Sequence, residues 1–270
     1  GVKGDFVYLA KIGNVKPIWS RELPSNPSSV TVIKDAANRY FLSFVVEIEP
    51  VQVEAKNQSR RSYLATAGAI GIDLGIKTFA AMSNGEMVKS PDYSKLDKRL
   101  RRKQKQLARQ ELGSKRREKT RLQIAKLHNE IADTRKDFLH KLSTRVVNEN
   151  QVITLEDLNV SGMVRNRRLS RAISMQGWRE FRVLVEAKSE KLGRKFVVIS
   201  RWEPTSQICS DCGYKWGKLD LSIRSVLCIS CGSEHDRDEN AAKNINQVGI
   251  GHGHDSKRTR IDRQTTPVAS

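Results

Sequence analysis

The chain contains four cysteines, arranged as two Cys-x-x-Cys pairs: Cys209, Cys212, Cys228 and Cys231. The fifteen residues 213–227 separate the pairs, which is the spacing of a site where four thiolates bind one zinc ion. A glycine follows each pair, at Gly213 and Gly232, where the turn around a metal requires a positive φ angle. Disulfides would need an oxidising compartment, and the sequence shows no signal peptide, while a redox Cys-x-x-Cys would not need duplication. We therefore predict a structural Zn²⁺ site.

Three carboxylates stand at the ends of predicted strands or at the start of a predicted helix: Asp73, Glu156 and Asp238. An acid in an apolar strand costs several kcal/mol unless it is paired or bound to a metal, although Asp73 could instead cap a turn. If the sheet brings the three acids to one edge, they could hold two Mg²⁺ or Mn²⁺ ions. Two such ions can hydrolyse a phosphodiester, so the acids are candidate catalytic residues.

The charge of the chain favours a nucleic-acid partner. Lys and Arg number 49 against 30 Asp and Glu, which gives a formal net charge of +19. A large positive excess in a folded chain favours binding to phosphates, which release counterions on contact. An anionic membrane surface is the weaker alternative, because the basic runs lack a bulky apolar face, and no apolar run could span a bilayer.

The first third of the chain reads as β-structure. Residues 1–60 contain short runs rich in Val, Ile, Tyr and Phe with a predicted hairpin turn at 35–39, which indicates part of a small barrel or sheet. Residues 52–68 have no clear period and are predicted to be a linker. Residues 69–90 then predict three strands, the first ending at Asp73 and the last two joined by an Asn-Gly turn.

A basic helical hairpin is predicted over residues 94–150, with a break at Gly113-Ser114. A solvated helix face is one interpretation of its charge, but because the charge is nearly all of one sign, contact with phosphates is favoured. The candidate nucleic-acid-binding residues of the hairpin are Arg99, Arg101, Arg102, Lys103, Lys105, Arg116 and Arg117.

The second half alternates strands and helices. A strand ends at Glu156, and an apolar strand is predicted at 196–200. A basic loop at 165–171 and an amphipathic helix at 175–195 lie between them, and a last helix follows the cysteines. From residue 251 the chain reads as a disordered basic tail, whose His252 and His254 could bind metal but are more often merely exposed.

Four motifs in this order resemble the TnpB (OrfB) proteins of insertion sequences and, more distantly, the type V CRISPR effector nucleases: GIDLG, ITLEDL, the CSDCG/CISCG pair and HDRDENAAKNI. The resemblance covers about residues 30–250. It implies a RuvC-like nuclease domain of RNase H fold, interrupted by a zinc ribbon, that uses a guide RNA to cut double-stranded DNA by two-metal-ion hydrolysis. It maps the three catalytic acids onto Asp73, Glu156 and Asp238, with Asp236 as the alternative third acid. It also implies that Arg224 contacts the DNA strand being cut.

The expected fold class is therefore α/β: a RuvC-like domain with an inserted zinc ribbon and helical hairpin, preceded by a partial β-barrel. The expected divisions are a wedge-like barrel part (1–60), a RuvC-like domain (69–204) with the hairpin (94–150), a zinc ribbon (205–234), a last RuvC-like segment (235–250) and the tail (251–270). Relatives begin with more barrel and a helical lobe, so the chain is expected to be truncated at its N-terminus.

The resemblance implies double- and single-stranded DNA as partners, guide RNA for the longer protein, and a prokaryotic, cytoplasmic and nucleoid-associated location. The sequence does not indicate an oligomeric state. A truncated, non-catalytic remnant that only binds nucleic acid is the alternative function.

Overall fold

The computed structural model describes residues 2–47, 68–220 and 222–251, which form two compact units. One unit contains residues 2–47 and 92–134, and the other contains residues 68–91 and those from 135 onward. The predicted linker up to residue 67 and the predicted tail from residue 252, with His252 and His254, lie outside the described residues.

The first unit contains two small antiparallel sheets. One is formed by β1 (Val2–Lys3), β2 (Phe6–Leu9) and β3 (Gly13–Val15), and the other by β4 (Ser29–Lys34) and β5 (Tyr40–Val45). The hairpin turn predicted at 35–39 is confirmed: the Asp35 carboxylate accepts hydrogen bonds from the backbone N–H groups of Ala37 and Arg39, at 2.8 and 2.9 Å. Asn38 takes the positive φ that this tight turn needs.

Two helices follow, α1 (Ser94–Ala108) and α2 (Lys115–Glu149), and the predicted break between them is confirmed. Gly113 in the connection has a φ of +79°, a conformation in which a side chain would be strained. The guanidinium of Arg117 donates to the carbonyl oxygens of Leu107 and Gln110, at 2.7 and 3.1 Å, and so satisfies the C-terminal end of α1.

The second unit is built on a five-stranded sheet. Its strands are β6 (Ala69–Leu74), β7 (Ala80–Met82), β8 (Met87–Val88), β9 (Val152–Glu156) and β10 (Lys195–Ile199), in the spatial order β10-β9-β6-β7-β8. Strands β6, β7 and β8 pair antiparallel, whereas β9 is parallel to both β6 and β10. The three predicted strands of 69–90 are confirmed, except that the first continues past Asp73 to Leu74.

The remaining elements are α3 (Val160–Met163), α4 (Ser170–Gln176), α5 (Trp178–Lys191), β11 (Ser225–Leu227), β12 (Glu234–Asp236) and α6 (Arg237–Gly249). The prediction of one helix over 175–195 is wrong, because Gly177, with a φ of +75°, ends α4 and precedes α5. The basic stretch 165–171 was predicted as a loop, but α4 already begins at Ser170.

One face of the sheet carries the hydrophobic core. Ile72 and Leu155 point into it from the sheet, together with Phe79 and, from α5, Phe181. Leu139 joins them from the part of α2 that belongs to this unit. The rings of Phe79 and Phe181 meet edge to face, with centroids 5.4 Å apart. Because side chains alternate along a strand, the neighbours of Ile72 and Leu155 point to the opposite face.

Helix α6 covers that opposite face. A Cβ added at Gly71 in β6 would lie 2.2 Å from the carbonyl oxygen of Ala242, and one added at Gly249 would lie 2.0 Å from Thr154 Oγ1 in β9. Only glycine allows such close approach, so α6 rests directly on β6 and β9.

Candidate active site and metal centre

The sheet places two of the three predicted acids side by side on the face that α6 covers. Gly71 in β6 pairs with Thr154 in β9, and both lie against α6. Two residues further along each strand come Asp73 and Glu156, which the two-residue period of a strand returns to this same face. The two carboxylates therefore leave neighbouring parallel strands at their carboxyl ends, and both are partly exposed to solvent.

The first turn of α6 carries the third acid, Asp238, toward Asp73. The Asp236 carboxylate caps the helix by accepting hydrogen bonds from the backbone N–H groups of Asp238 and Glu239, at 2.9 and 3.0 Å. Asp236, the alternative third acid, is thus engaged in capping, whereas the Asp238 carboxylate is partly exposed beside Asp73.

Burial and mutual repulsion raise the pKa of two of these acids. Burial, followed by the negative charge of Asp238, raises the pKa of Asp73 to about 7. Burial, followed by the charge of Asp73, raises the pKa of Glu156 to about 7, although a hydrogen bond from the Thr205 hydroxyl lowers it. Asp73 therefore interacts with both other acids, and a cation bound among them would relieve the repulsion.

Arg224 lies at the same cluster. Its Nη1 donates to both carboxylate oxygens of Asp238, at 3.2 Å each. The backbone N–H of Arg237 donates to the Arg224 carbonyl oxygen at 2.7 Å. This bond fixes the backbone of Arg224, which precedes β11, against the start of α6. Arg237 also adds positive charge near the cluster and opposes the rise in the pKa of Asp73.

The four cysteines converge as their spacing predicts. Their sulfurs all lie within 4.8 Å of one another, with Cys209 and Cys231 3.8 Å apart and Cys212 and Cys228 3.6 Å apart. Zn–S bonds of about 2.3 Å in a tetrahedron separate sulfurs by about 3.8 Å, so the spacing fits one tetrahedral ion. Within the described ranges, no other set of three or more such ligand groups lies as close together.

The turns at the two cysteine pairs have the same backbone geometry. The N–H of Gly213 donates to the Cys209 carbonyl oxygen at 2.9 Å, and that of Gly232 donates to the Cys228 carbonyl oxygen at 2.8 Å. Both glycines have a positive φ, +75° and +78°, which confirms the conformation predicted for them. A metal held by such paired turns closes a lobe that has little core of its own.

His235, the first residue of the HDRDENAAKNI motif, was given no role of its own from the sequence and is buried against the cysteine cluster. Its Nε2 lies 3.1 Å from Cys209 Sγ and 4.0 Å from a carboxylate oxygen of Asp211. Burial raises the pKa of the Cys209 thiol to about 12, so an uncompensated thiolate is strongly disfavoured there. A metal ion and an N–H donor are the two partners that stabilise such a buried thiolate.

Two buried asparagines clamp the first cysteine turn to α6. Asn240 accepts from the N–H of Ser210 at 2.8 Å and donates to the carbonyl oxygen of Ile208 at 2.7 Å. Asn244 donates to the carbonyl oxygens of Thr205 and Ile208, both at 2.7 Å. The same helix therefore carries Asp238 in its first turn and holds the cysteine lobe along its next two turns.

A second acid beside Glu156 was also missed by sequence reasoning. Asp157 accepts from Nη1 of Arg182 at 2.8 Å and from Nε of Arg201 at 3.0 Å, and these bonds hold the pKa of its carboxyl below the ordinary value. The adjacent acids Glu156 and Asp157 at the end of the predicted strand were the sequence feature that could have indicated it. Glu156 faces the other acids, while Asp157 anchors two arginines.

Seven of the eight basic residues predicted to bind nucleic acid, all except Arg224, lie on α1 and the start of α2, in the first unit. Arg101, Arg102 and Lys105 line an open groove of about 630 Å³. Arg99, Arg102 and Lys103 line a second groove of about 410 Å³ with side chains of α2. Arg116 is exposed, whereas Arg117 is engaged with the end of α1.

None of the described helices combines the length and the apolar run that a bilayer crossing requires.

Comparison with known families identifies two segments. A family model described as "Probable transposase" matches residues 43–167, and one described as "Cas12f1-like, TNB domain" matches residues 178–245.

Two curated relatives extend this similarity. A "Putative RNA-guided DNA endonuclease" from Streptomyces pristinaespiralis is 43% identical over 86% of this chain and 56% of its own length. The "Putative RNA-guided DNA endonuclease InsQ" of Escherichia coli (strain K12) is 29% identical over 90% of this chain and 62% of its own length. The chain thus spans somewhat more than half the length of these relatives.

Among solved structures, one chain of a "CRISPR-Cas12f Ternary Complex" matches with a TM-score of 0.50 and 20% identity. The match covers 77% of this chain and 42% of that one. At this level of identity the match concerns the fold alone.

Proposed function

We propose that this chain, which matches the OrfB transposase model over residues 43–167 and the Cas12f1-like TNB model over residues 178–245, is a TnpB-type, metal-dependent DNA endonuclease guided by RNA. The observation that carries the proposal is the shared face of Asp73 and Glu156, with Asp238 brought to Asp73 by α6. Carboxylates that repel one another at a partly exposed site are suited to hold hard divalent cations.

The sheet supports assigning this unit to the RuvC-like group of the RNase H fold. In that fold an antiparallel meander of three strands is followed by two strands that are parallel to the first. The order β10-β9-β6-β7-β8, with β9 beside β6, has this arrangement. The acids stand at the carboxyl ends of β6 and β9, the edge at which α/β proteins bind their ligands.

We assign the three acids to two Mg²⁺ or Mn²⁺ ions. Carboxylates are the ligands that these hard cations prefer, and Asp73 interacts electrostatically with both Glu156 and Asp238. When bound, such a pair activates a water and stabilises the leaving oxygen of a phosphodiester. Asp73, which interacts with both other acids, would be one of the ligands that hold the ions.

The other residues position the site. Thr205 holds the Glu156 carboxylate by a hydrogen bond, and the Asp236 cap fixes the first turn of α6. We assign to Arg224 the contact with the DNA strand being cut, because its guanidinium already lies within hydrogen-bond distance of Asp238. Released from Asp238, it could donate to a phosphate beside the acids.

We assign the cysteine cluster to a structural zinc ion, since four thiolates with tetrahedral spacing leave no open position for substrate. The basic surface of α1 would contact the backbone of the guide RNA or of DNA, because the groove that it lines is dominated by lysine and arginine side chains. Guidance by RNA rests on the names of the relatives and on this basic surface.

A nicking assay tests the cleavage. The zinc-loaded chain is incubated with supercoiled plasmid and with a labelled single-stranded oligonucleotide, with and without Mg²⁺ or Mn²⁺. We expect metal-dependent cutting that Asp73→Ala abolishes and that Asp137→Ala, at an exposed acid on α2, leaves intact. Equal cutting by Asp73→Ala would overturn the site, and absence of cutting in all conditions would leave a chain that only binds nucleic acid.

Guidance is tested separately by the RNA that co-purifies with the chain. We expect RNase treatment to remove cutting of a plasmid whose sequence matches that RNA. Cutting that survives complete RNase digestion would show that the nuclease acts without a guide.

A further inference from the structure

The loop that joins β10 to the first cysteine turn is attached at both ends to Glu156. At its start, Ile199 pairs with Glu156 in the parallel ladder of β9 and β10, and the N–H of Asp157 donates to the Ile199 carbonyl oxygen at 3.0 Å. At its end, the hydroxyl of Thr205 is hydrogen-bonded to the Glu156 carboxylate. Residues 200–204, in the middle of this loop, are therefore held near Glu156, a candidate catalytic acid.

The loop is also braced internally. The N–H of Glu203 donates to the Ser200 carbonyl oxygen at 3.1 Å, and the N–H of Trp202 lies 3.3 Å from the Ser200 hydroxyl. The guanidinium of Arg201 is bound to Asp157. Arg201 is thus occupied by an anchoring contact. Ser200, Trp202 and Glu203 are also exposed, and Trp202 is the aromatic residue among them.

Trp202 differs from the other three tryptophans of the chain. Its side chain is 86% exposed, whereas Trp178 is buried in the core of the sheet. Trp19 stacks on Phe44, and the indole N–H of Trp216 donates to the Ser206 carbonyl oxygen at 3.2 Å. Trp202 is therefore a large aromatic surface left in water, three residues after Ile199, which pairs with Glu156, and directly after Arg201, which is bound to Asp157.

We propose that Trp202 stacks on an unpaired base of the nucleic-acid strand and so holds that strand at Glu156. The inference rests on the proposed function, because it identifies the substrate at the active site as single-stranded. Exposed aromatics are the usual platforms for single strands, since every base has a π-face and stacking needs no particular sequence. A duplex keeps its bases inside the helix and would not offer one to this ring.

A binding experiment isolates this contact without cleavage. Wild type, Trp202→Ala and Trp202→Phe are compared in Mg²⁺-free buffer on a single-stranded oligonucleotide, with Leu112→Ala as a control at a comparably exposed apolar side chain (81%) on the other unit. We expect Trp202→Ala to weaken binding about tenfold, with Trp202→Phe and Leu112→Ala close to wild type. Equal binding by Trp202→Ala would overturn the proposal.

An abasic scan identifies the stacked base. Oligonucleotides that each lack one base are bound to wild type and to Trp202→Ala, as a double-mutant cycle. We expect one position where removing the base weakens binding to wild type but not to the variant. If the loss of affinity from each abasic position adds to the loss from Trp202→Ala, stacking is refuted. If Trp202→Ala changes only the self-association of the chain, Trp202 is a protein contact instead.

The result separates this inference from the proposed function. If the chain binds single strands through Trp202 but cuts nothing, the stacking stands and the nuclease assignment fails. If it cuts with metal while the cycle shows no coupling, the nuclease stands and the role of Trp202 is refuted. In an active chain, we expect Trp202→Ala to raise KM with little change in kcat.

Discussion

Asp236 and Asp238 are two residues apart, yet the first caps α6 with its side chain while the second faces Asp73 from the first turn of that helix. The cap satisfies the N–H groups of Asp238 and Glu239, so it fixes the backbone that carries the third acid. The capping role of Asp236 and the proposed catalytic role of Asp238 thus fall on two carboxylates two residues apart.

This separation predicts opposite behaviour of two substitutions. Asp236→Ala removes the cap and should lower the free energy of unfolding by about 1 kcal/mol while retaining metal-dependent cutting. Asp238→Asn should abolish cutting without lowering the free energy of unfolding. Urea denaturation and the nicking assay measure the two effects, with Asp236→Ser as the control that restores a cap. Loss of cutting in Asp236→Ser with retained stability would instead make Asp236 the third acid.

The raised pKa of Asp73 predicts a pH dependence of stability. A carboxyl whose folded pKa of about 7 exceeds its unfolded value favours the folded state when protonated. Its contribution is fully present below the unfolded pKa, near 4, and is lost as the pH rises through 7. Without Mg²⁺, the melting temperature should therefore fall between about pH 4 and pH 7.

Asp73→Asn provides the control, because it removes the repulsion at every pH. The variant should melt higher than wild type at pH 8 and show a flatter pH profile in Mg²⁺-free buffer. Mg²⁺ should stabilise wild type more than the variant, since a bound cation relieves the same repulsion. If the melting temperatures of the two proteins depended on pH in the same way, Asp73 would not be repelled by the charges of the other acids.

Sequence reasoning identified the cysteine cluster and the candidate acids more readily than the side chains that support them. The cysteine spacing fixed the four ligands, because two turns of invariant geometry leave few ways to arrange their sulfurs. The strand-end positions of Asp73 and Glu156 were readable because apolar strands are short and an acid within them is conspicuous. Their juxtaposition was not readable, since it depends on β9 pairing with β6 across the intervening helices.

The side chains that hold the site in place were missed because their roles depend on tertiary contacts. Asn240 and Asn244 look like ordinary polar residues of a helix until the backbone carbonyls they serve are brought next to them. The break at Gly177 was missed because the apolar period of 175–195 continues through it, and only the local φ shows that two helices meet there. The partition of the chain into domains and the DNA and RNA contacts of Arg99 to Arg117 remain predictions.

His235 predicts a contribution to metal retention. With zinc bound, Cys209 is a thiolate, and the Nε2–H of His235 at 3.1 Å would donate to its sulfur and stabilise it. We expect His235→Ala to release zinc to a chromogenic chelator about tenfold faster or more. The thiolate-to-metal absorption of the cobalt-substituted protein should shift, which a merely structural effect would not produce.

His128→Gln on the exposed surface of α2 is the matched control and should leave both signals unchanged. His235→Gln retains an N–H donor at a similar reach and should restore part of the retention. A cobalt spectrum of His235→Ala identical to wild type would show that this histidine packs against the cluster without bonding to it.

Asn244 predicts how strongly the cysteine lobe depends on α6. Its amide donates to two carbonyl oxygens, of Thr205 and Ile208, and a carboxylate at the same place could donate to neither. Asn244→Asp should therefore cost about 3 kcal/mol, because it sets a buried charge against two carbonyl dipoles. Lys243→Ala, at the half-buried neighbour whose ammonium pairs with Glu239 on the same helix, should change the free energy of unfolding by about 0.5 kcal/mol or less. Urea unfolding of the zinc-loaded chain measures both, and equal stability of Asn244→Asp and Lys243→Ala would mean that the lobe is held by its metal alone.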